Sequence, residues 1–261
     1  MLPMSLVDPD KVANIVAQVA ADVILPRFCR LKNDEIQEKN PGDLVTVADR
    51  EAEQRLIELL PPLLAGSLVM GEECVSADPR NLECLSGDGP VWVIDPIDGT
   101  GNFVRGNQNF AVIIALAVRQ ETVQGWIYDP LLAQITYAIK GGGTWRGGKR
   151  RTLEPRPVSG MVGSVAKRDQ GRLSDKGLKV RHIGSAAHEY LALLDGSLDF
   201  SCYRRLHPWD HAAGTLMITE AGGRAATLDG NPYRPVPQSG NSLLMAPDEE
   251  SWETLRDLLG A

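Results

Sequence analysis

Apolar residues recur at steps of three and four from residue 9 to 25, at Val12, Ile15, Val16, Val19, Val23 and Ile24. That period predicts an amphipathic helix, closed by Pro26. EKNPGDLVTVAD reads as a turn and a short segment, after which Asp49 is placed to cap a second helix running through Leu60 and stopped by Pro61 and Pro62. SLVMGEE reads as a strand ending in two acids, and DPRNLECLSGDGP as loop. From Val91 to Trp145 the pattern turns to strands. FAVIIALAV, VQGWIYDP and QITYAIKGGGTW, separated by turn-prone residues, predict an antiparallel meander.

The style changes again near residue 150. GMVGSVAK and KVRHIG read as strands, SAAHEYLALLDG and DHAAGTLMITEAGG as helices ending at Gly, NSLLMA as a late strand, and DEESWETLRDLLG as a last helix with an acidic first turn. The expectation is an α/β (α+β) chain in two parts. Residues 1–149 form an α+β half with the meander; residues 150–261 form an α/β half.

Composition narrows the class. The chain has 261 residues, 43% hydrophobic and 23% charged, the profile of a globular protein with a large core. Its longest apolar run, FAVIIALAV, is strand-sized, well short of the ~20 residues that span a bilayer. MLPMSLVDPDKV lacks the features of a signal peptide, so a cytoplasmic protein is expected. Cys29, Cys74, Cys84 and Cys202 form no C-x-x-C pair, which argues against zinc and fits a reducing compartment. A net charge of −7 argues against nucleic acid as a partner. The one dense basic cluster, RGGKRR (Arg146 to Arg151), reads as a solvated linker.

The candidate chemistry sits where an apolar strand ends, in WVIDPIDGTGNF (Trp92 to Phe103). A regular strand scatters its acids over two faces, but Pro96 interrupts the ladder. If the chain turns after Asp95, then Asp98 and the Ile97 carbonyl can join it as three hard oxygen donors. Neighbouring carboxylates repel, and a divalent cation such as Mg²⁺ removes the conflict. Gly99-Thr100-Gly101 then lets the backbone approach an anion, whose charge suits a helix start. Taken alone, DPIDG is equally a turn. Glu72 and Glu73 in GEE, Asp210 in PWDHAAG, and Asp43 and Thr46 in DLVTVAD add further acids and a hydroxyl; alone each reads as cap or loop.

DLVTVAD, GEE, WVIDPIDGTGNF and PWDHAAGTLMITEAGG, in that order, resemble the inositol monophosphatase family over nearly the whole chain. The resemblance implies a layered α-β-α-β-α sandwich, shared with fructose-1,6-bisphosphatase, with the site between its halves. It also implies a Mg²⁺-dependent, lithium-sensitive phosphomonoesterase acting on a small phosphorylated metabolite, with Mn²⁺ as a substitute ion and a homodimer as the usual assembly. Carried over, Glu72, Asp95 and the Ile97 carbonyl hold one metal, and Asp95, Asp98 and Asp210 a second. A third, weaker ion belongs near Glu72. Gly99 and Thr100 N–H groups hold the phosphate. Thr100, paired with Asp43, positions the attacking water with Glu72 nearby.

Substrate-side residues implied by the family are Asp98, Gly99, Thr100, Ser185, Asp210 and the position of Tyr203. In inositol-hydrolysing members that last position is Glu, seven residues before the metal-binding Asp. Tyr203 cannot accept as a carboxylate does. Arg204 and Arg205 beside it either favour a more anionic substrate or face solvent. Histidinol phosphate, fructose 1,6-bisphosphate and 3′(2′),5′-bisphosphate nucleotides therefore stay open as substrates. A regulatory or RNA-associated role, suggested by RGGKRR alone, is the alternative of another class. His211 is expected on the helix surface or behind the metal ligands; His182, His188 and His207 are expected to be structural or exposed, and Trp92 and Trp209 core anchors.

Overall fold

The structure, a computed structural model, describes residues 7–236 and 240–260; residues 1–6, on which the expectation about a signal peptide falls, lie outside the described residues. The first amphipathic stretch forms α1 (Pro9–Val19), capped by Asp8, and winds on through a π-helical turn at Ala20–Ile24 and a 3₁₀ turn at Leu25–Arg27. Pro26 therefore sits in the last turn and not beyond it. A hairpin of β1 (Ile36–Asn40) and β2 (Asp43–Thr46) leads into α2 (Val47–Leu59). The cap of α2 is Thr46, not Asp49. The Thr46 hydroxyl accepts the Ala48 N–H at 3.1 Å, while Asp49, in the first turn, accepts the Thr46 N–H at 2.8 Å.

Next come β3 (Leu68–Gly71), the short helix α3 (Glu72–Ala77), β4 (Pro90–Asp98), the short helix α4 (Thr100–Val104), and the strands β5 (Ala111–Val118), β6 (Glu121–Asp129), β7 (Gln134–Ile139), β8 (Gly143–Arg146) and β9 (Lys149–Arg151). The strands make one seven-stranded sheet in chain order, antiparallel except for β3 with β4. Two expectations need correction. DPRNLECLSGDGP contains a 3₁₀ helix, Pro79–Ser86. RGGKRR is the β8–β9 hairpin rather than a linker, and Arg146 is buried, donating through Nε to Thr136 Oγ1 at 2.7 Å.

The second sheet takes β10 (Val162–Val165), β11 (Lys179–Val180), β12 (Phe200–Tyr203), β13 (Arg224–Thr227) and β14 (Leu243–Ala246) in the order β11-β10-β12-β14-β13. The first sheet ends at Arg151 and the second begins at Val162. Helices α6 (Ala186–Asp195) and α7 (Pro208–Glu220) lie between the sheets; α5 (Lys167–Ser174) and α8 (Glu249–Leu259) cover the far side of the second.

Three cores hold these layers. Val12, Val16 and Leu56 pack on Trp92 and Ile94 at one face of the first sheet. Val91, Val93 and Ile113 at its other face meet Tyr190, Met217 and Met245. Phe200 and Leu244 meet Leu173, Trp252 and Leu255 outside the second sheet. The order is α-β-α-β-α, the layered sandwich expected from the resemblance. Helix α7 is apolar nearly all round, as a helix between two sheets must be, and this fixes where its first turn and Asp210 lie. No helix among the described residues is long and apolar enough to cross a membrane.

Candidate active site

Strand β4 sends Trp92 and Ile94 to the α1–α2 side and Val91 and Val93 to the α6–α7 side. Strict alternation would put Asp95 on the second side and Asp98 on the first. The ladder with β5 prevents this: Asp95 pairs with Ile113 and Asp98 with Ala111, so three steps on β4 answer two on β5. The extra residue is a bulge at Pro96-Ile97. Ile97 turns into the α1–α2 core, and both aspartates come to the face that looks at α7. There Asp210, in the first turn of α7, meets them. Ligand oxygens of Asp95, Asp98 and Asp210 all lie within 4.8 Å of one another.

These three groups are in electrostatic conflict. Burial pushes the Asp95 carboxyl well above the carboxylate range, and Glu72, Asp98 and Asp210 push it further. Asp210 is raised well above that range by burial, then by Asp98 and Glu72. Asp98 is raised by burial, although hydrogen bonds oppose the rise. No ion pair is made to any of the three among the described residues. Hard oxygen donors crowded in this way suit a divalent cation, which would relieve their mutual repulsion.

Glu72 begins α3 and lines a cavity of about 370 Å³ together with Lys39, Asp43 and Asp210. Lys39 bridges Glu72 at 2.7 Å and Glu73 at 2.9 Å. Burial raises the Glu72 carboxyl to about 7 against the opposing pull of Lys39. Burial alone would lower the Lys39 ammonium value, but its pairing with the two glutamates outweighs that and raises it. The Ile97 carbonyl accepts the Thr100 hydroxyl at 3.0 Å.

Thr100 is not paired with Asp43. Its hydroxyl lies 3.0 Å from Asp49 Oδ1, while Asp43 stands at the rim, its side chain 43% exposed and 3.9 Å from Lys39. The reason lies in the cap of α2: as an early helical residue turned back onto Thr46, Asp49 is buried beside α4, whereas Asp43 belongs to the β1–β2 hairpin. Burial raises Asp49 to about 6, against hydrogen bonds from Thr46. Gly99, just before Thr100, has φ +85° and no room for a Cβ, which would sit 2.8 Å from the Asn109 carbonyl. Thr100 heads α4, so its N–H has no partner within that helix.

Ser185, expected on the substrate side, caps α6 and donates to Asp98 Oδ2. The Ala186 and Ala187 N–H groups reach the same carboxylate at 3.1 and 2.9 Å. Asp98 thus ties the first sheet to α6. Tyr203 donates to Glu189 Oε2 at 2.5 Å, and Ser164 donates to Glu189 Oε1 at 2.6 Å. His211 is buried rather than on the surface. Its ring lies between Tyr190 Oη at 3.0 Å and the Arg205 carbonyl at 2.8 Å, and burial lowers it to about 4.

Sequence reasoning reads Asp49 only as a helix cap and does not single out Lys39, Glu189 or Glu53. The Glu53 carboxylate accepts the Glu73 and Cys74 N–H groups at 2.8 and 2.7 Å and so orients α3 and Glu72. Burial raises it to about 7. This is why residue 71 is glycine: a Cβ there would lie 2.3 Å from the Glu53 carboxyl carbon. Gly71→Ala is expected to cost about 2–4 kcal/mol by displacing that carboxylate from its donors, read from the urea midpoint. An unchanged midpoint would show that Glu53 is free to move.

The comparisons agree with this geometry. Residues 8–258 match the model of the inositol monophosphatase family. An inositol monophosphatase of Dictyostelium discoideum is 34% identical over 209 residues, covering 74% of this chain and 75% of the relative. The Nus factor SuhB of Haemophilus influenzae is 29% identical, covering 94% of each chain. Among solved structures, an IMPase of Thermotoga maritima superposes with a TM-score of 0.79 at 27% identity, covering 96% of this chain and 95% of that one.

Proposed function

The chain belongs to the inositol monophosphatase family and is a phosphatase, and from that premise we propose that it hydrolyses the phosphate monoester of a small polyol or sugar with Mg²⁺ as cofactor. The observation that carries this reading is the convergence of Asp95, Asp98 and Asp210 from two distant segments within 4.8 Å. Those three, with Glu72 and the Ile97 carbonyl, would hold two ions, and a third would sit near Glu72. When bound, the ions make water a better nucleophile and offset negative charge on the phosphoryl group and leaving oxygen.

The chain's own residues do the rest. The free N–H groups at Gly99 and Thr100 orient the phosphoryl oxygens at the head of α4. The Thr100 hydroxyl carries one proton and has two acceptors within 3.0 Å, Asp49 and the Ile97 carbonyl. With that proton directed to Asp49, its lone pairs are free to accept from an attacking water and aim it at phosphorus. Asp49, rather than Asp43, takes the partner role. Glu72, as the carboxylate, is the nearby base for the water's proton.

Thr100→Val is therefore expected to lower kcat about 10- to 100-fold with little change in KM, whereas Asp43→Asn stays within about threefold of the unaltered protein. The reverse ranking in steady-state assays would restore Asp43 to the role. The reading as a whole is tested with a panel of phosphate monoesters, with Mg²⁺ and with a chelator. Release that requires the metal supports it, and no release from any ester at micromolar enzyme rejects it. Mn²⁺ in place of Mg²⁺, inhibition by Li⁺ and a homodimer on gel filtration go with the same reading.

A further inference from the structure

Tyr233 follows the turn that closes β13. The Thr227 N–H donates to the Asn231 carbonyl at 2.9 Å, and Pro232 forms a β-bridge with Ala226, so the backbone is held just before the ring. The ring packs on the core between the two sheets, to which Trp209, Ala212 and Ala213 of α7 belong. It meets the His211 ring edge-on, with centroids 6.3 Å apart and planes at 81°. The Tyr233 hydroxyl oxygen is buried and has no hydrogen-bond partner among the described residues. A buried hydroxyl without an acceptor is destabilising, and a fold that keeps one calls for a reason.

The neighbouring polar groups narrow that reason. Burial keeps His211 neutral near pH 7, and the Arg205 carbonyl can only accept. His211 Nε2 therefore carries the ring hydrogen, and Nδ1 accepts from the Tyr190 hydroxyl. Both ring nitrogens are spent. Asp210, the residue before His211, is the opposite case. Asp95 accepts the Ile97 N–H, and Asp98 accepts from Ser185, Ala186 and Ala187. No N–H or hydroxyl among the described residues donates to the Asp210 carboxyl, whose hydrogen-bonded neighbour is a second acid, Asp95. After burial, the charge of Asp210 is what raises the Tyr233 phenol above its ordinary value. An acceptor lacking a donor and a donor lacking an acceptor thus lie within reach of one electrostatic field.

We propose that Tyr233 is a positioning residue of the metal site: its hydroxyl donates to the Asp210 carboxylate and holds that carboxylate toward the bound cation. This rests on the Mg²⁺ reading above and adds the group that orients one of its ligands. Carboxylates that bind metal are themselves held by hydrogen bonds, and loss of such a partner weakens the metal's affinity. The Ile97 N–H does this for Asp95 and the start of α6 does it for Asp98; Tyr233 does it for Asp210.

Tyr233→Phe removes the hydroxyl and keeps the ring. Mg²⁺ alone, titrated calorimetrically into full-length protein stripped of metal, is expected to bind about tenfold more weakly to the variant. The Mg²⁺ concentration for half-maximal phosphate release should rise by a similar factor. The urea midpoint without metal should stay equal or rise, because an unpartnered buried hydroxyl has gone. A Mg²⁺ affinity within about twofold of the unaltered protein overturns the proposal and leaves the metal site standing. So does a weaker affinity that comes with a lower midpoint without metal, which would make the hydroxyl a support of the core. Unaltered protein that takes up no Mg²⁺ removes the metal reading and this proposal together.

Discussion

Asp95→Asn is expected to lower the rate of phosphate release at least about a thousandfold while leaving the metal-free protein as stable as before, or more so. Asparagine keeps the shape of the side chain and the oxygen that accepts the Ile97 N–H at 3.0 Å, so the β4 bulge survives. It removes a negative charge from a site where burial and then Glu72, Asp98 and Asp210 all oppose that charge. A group held at such a cost is retained for what it binds. The loss should appear in kcat, with weakened Mg²⁺ binding by titration calorimetry and an equal or higher urea midpoint under chelation. Turnover within tenfold of the unaltered protein would remove Asp95 from the reaction centre.

Asp98→Asn should behave differently although the chemical change is the same. Asp98 accepts from Ser185, Ala186 N–H and Ala187 N–H, which tie β4 to the start of α6. An amide nitrogen in place of one oxygen turns a donor toward donors. Both activity and stability should fall, so a matched pair of Asn variants separates the residue that only binds from the one that also joins the layers.

What could be read from the sequence, and what could not, follows from the range of the forces involved. The acids at the ends of β3 and β4 stand out because charge after an apolar run is costly without a purpose. The bulge was foreshadowed by Pro96, which breaks a ladder by its own chemistry. Asp49 reads as a cap, yet TVAD carries the signal: Thr46 followed three residues later by an acid is a capping-box pattern, and it turns Asp49 inward. Glu53 also left a trace. Asp49, Ala52, Glu53 and Leu56 form one buried stripe on α2, and an acid within such a stripe must have partners.

Lys39 and Glu189 left none. The first meets Glu72 across 33 residues and the second meets Tyr203 across 14, contacts that exist only once hairpin, sheet and helices have packed. Helix α5 escaped because KRDQGRLS has a single large apolar residue, Leu173, to mark its buried face. β12 (FSCY) and β13 (RAAT) escaped because neither carries the run of large aliphatic residues that marks the equally short β14 (LLMA).

The metal-free protein is expected to lose stability as pH rises from about 4 to 7, the reverse of ordinary acid denaturation, and divalent metal should largely restore it. Burial raises Asp49 from 3.8 to about 6, and Glu53 and Glu72 from 4.5 to about 7. Asp95, Asp98 and Asp210 move in the same direction. A carboxyl whose folded value lies above its unfolded value keeps its proton in the fold at a pH where the unfolded chain has released it. The folded state then binds more protons, and each rise in pH through that window favours unfolding. Summed over coupled groups, the loss is roughly 3–6 kcal/mol, or about 10 °C in melting temperature. Calorimetric melts of chelated protein at pH 5 and pH 8 read this directly. Millimolar Mg²⁺ should raise the melting temperature at pH 8 far more than at pH 5, because a cation binds the ionised cluster and protons compete with it. A chelated protein that melts higher at pH 8 than at pH 5, or that ignores Mg²⁺ at pH 8, would mean that the acids between the two sheets are at ease with their charge and do not wait for a cation.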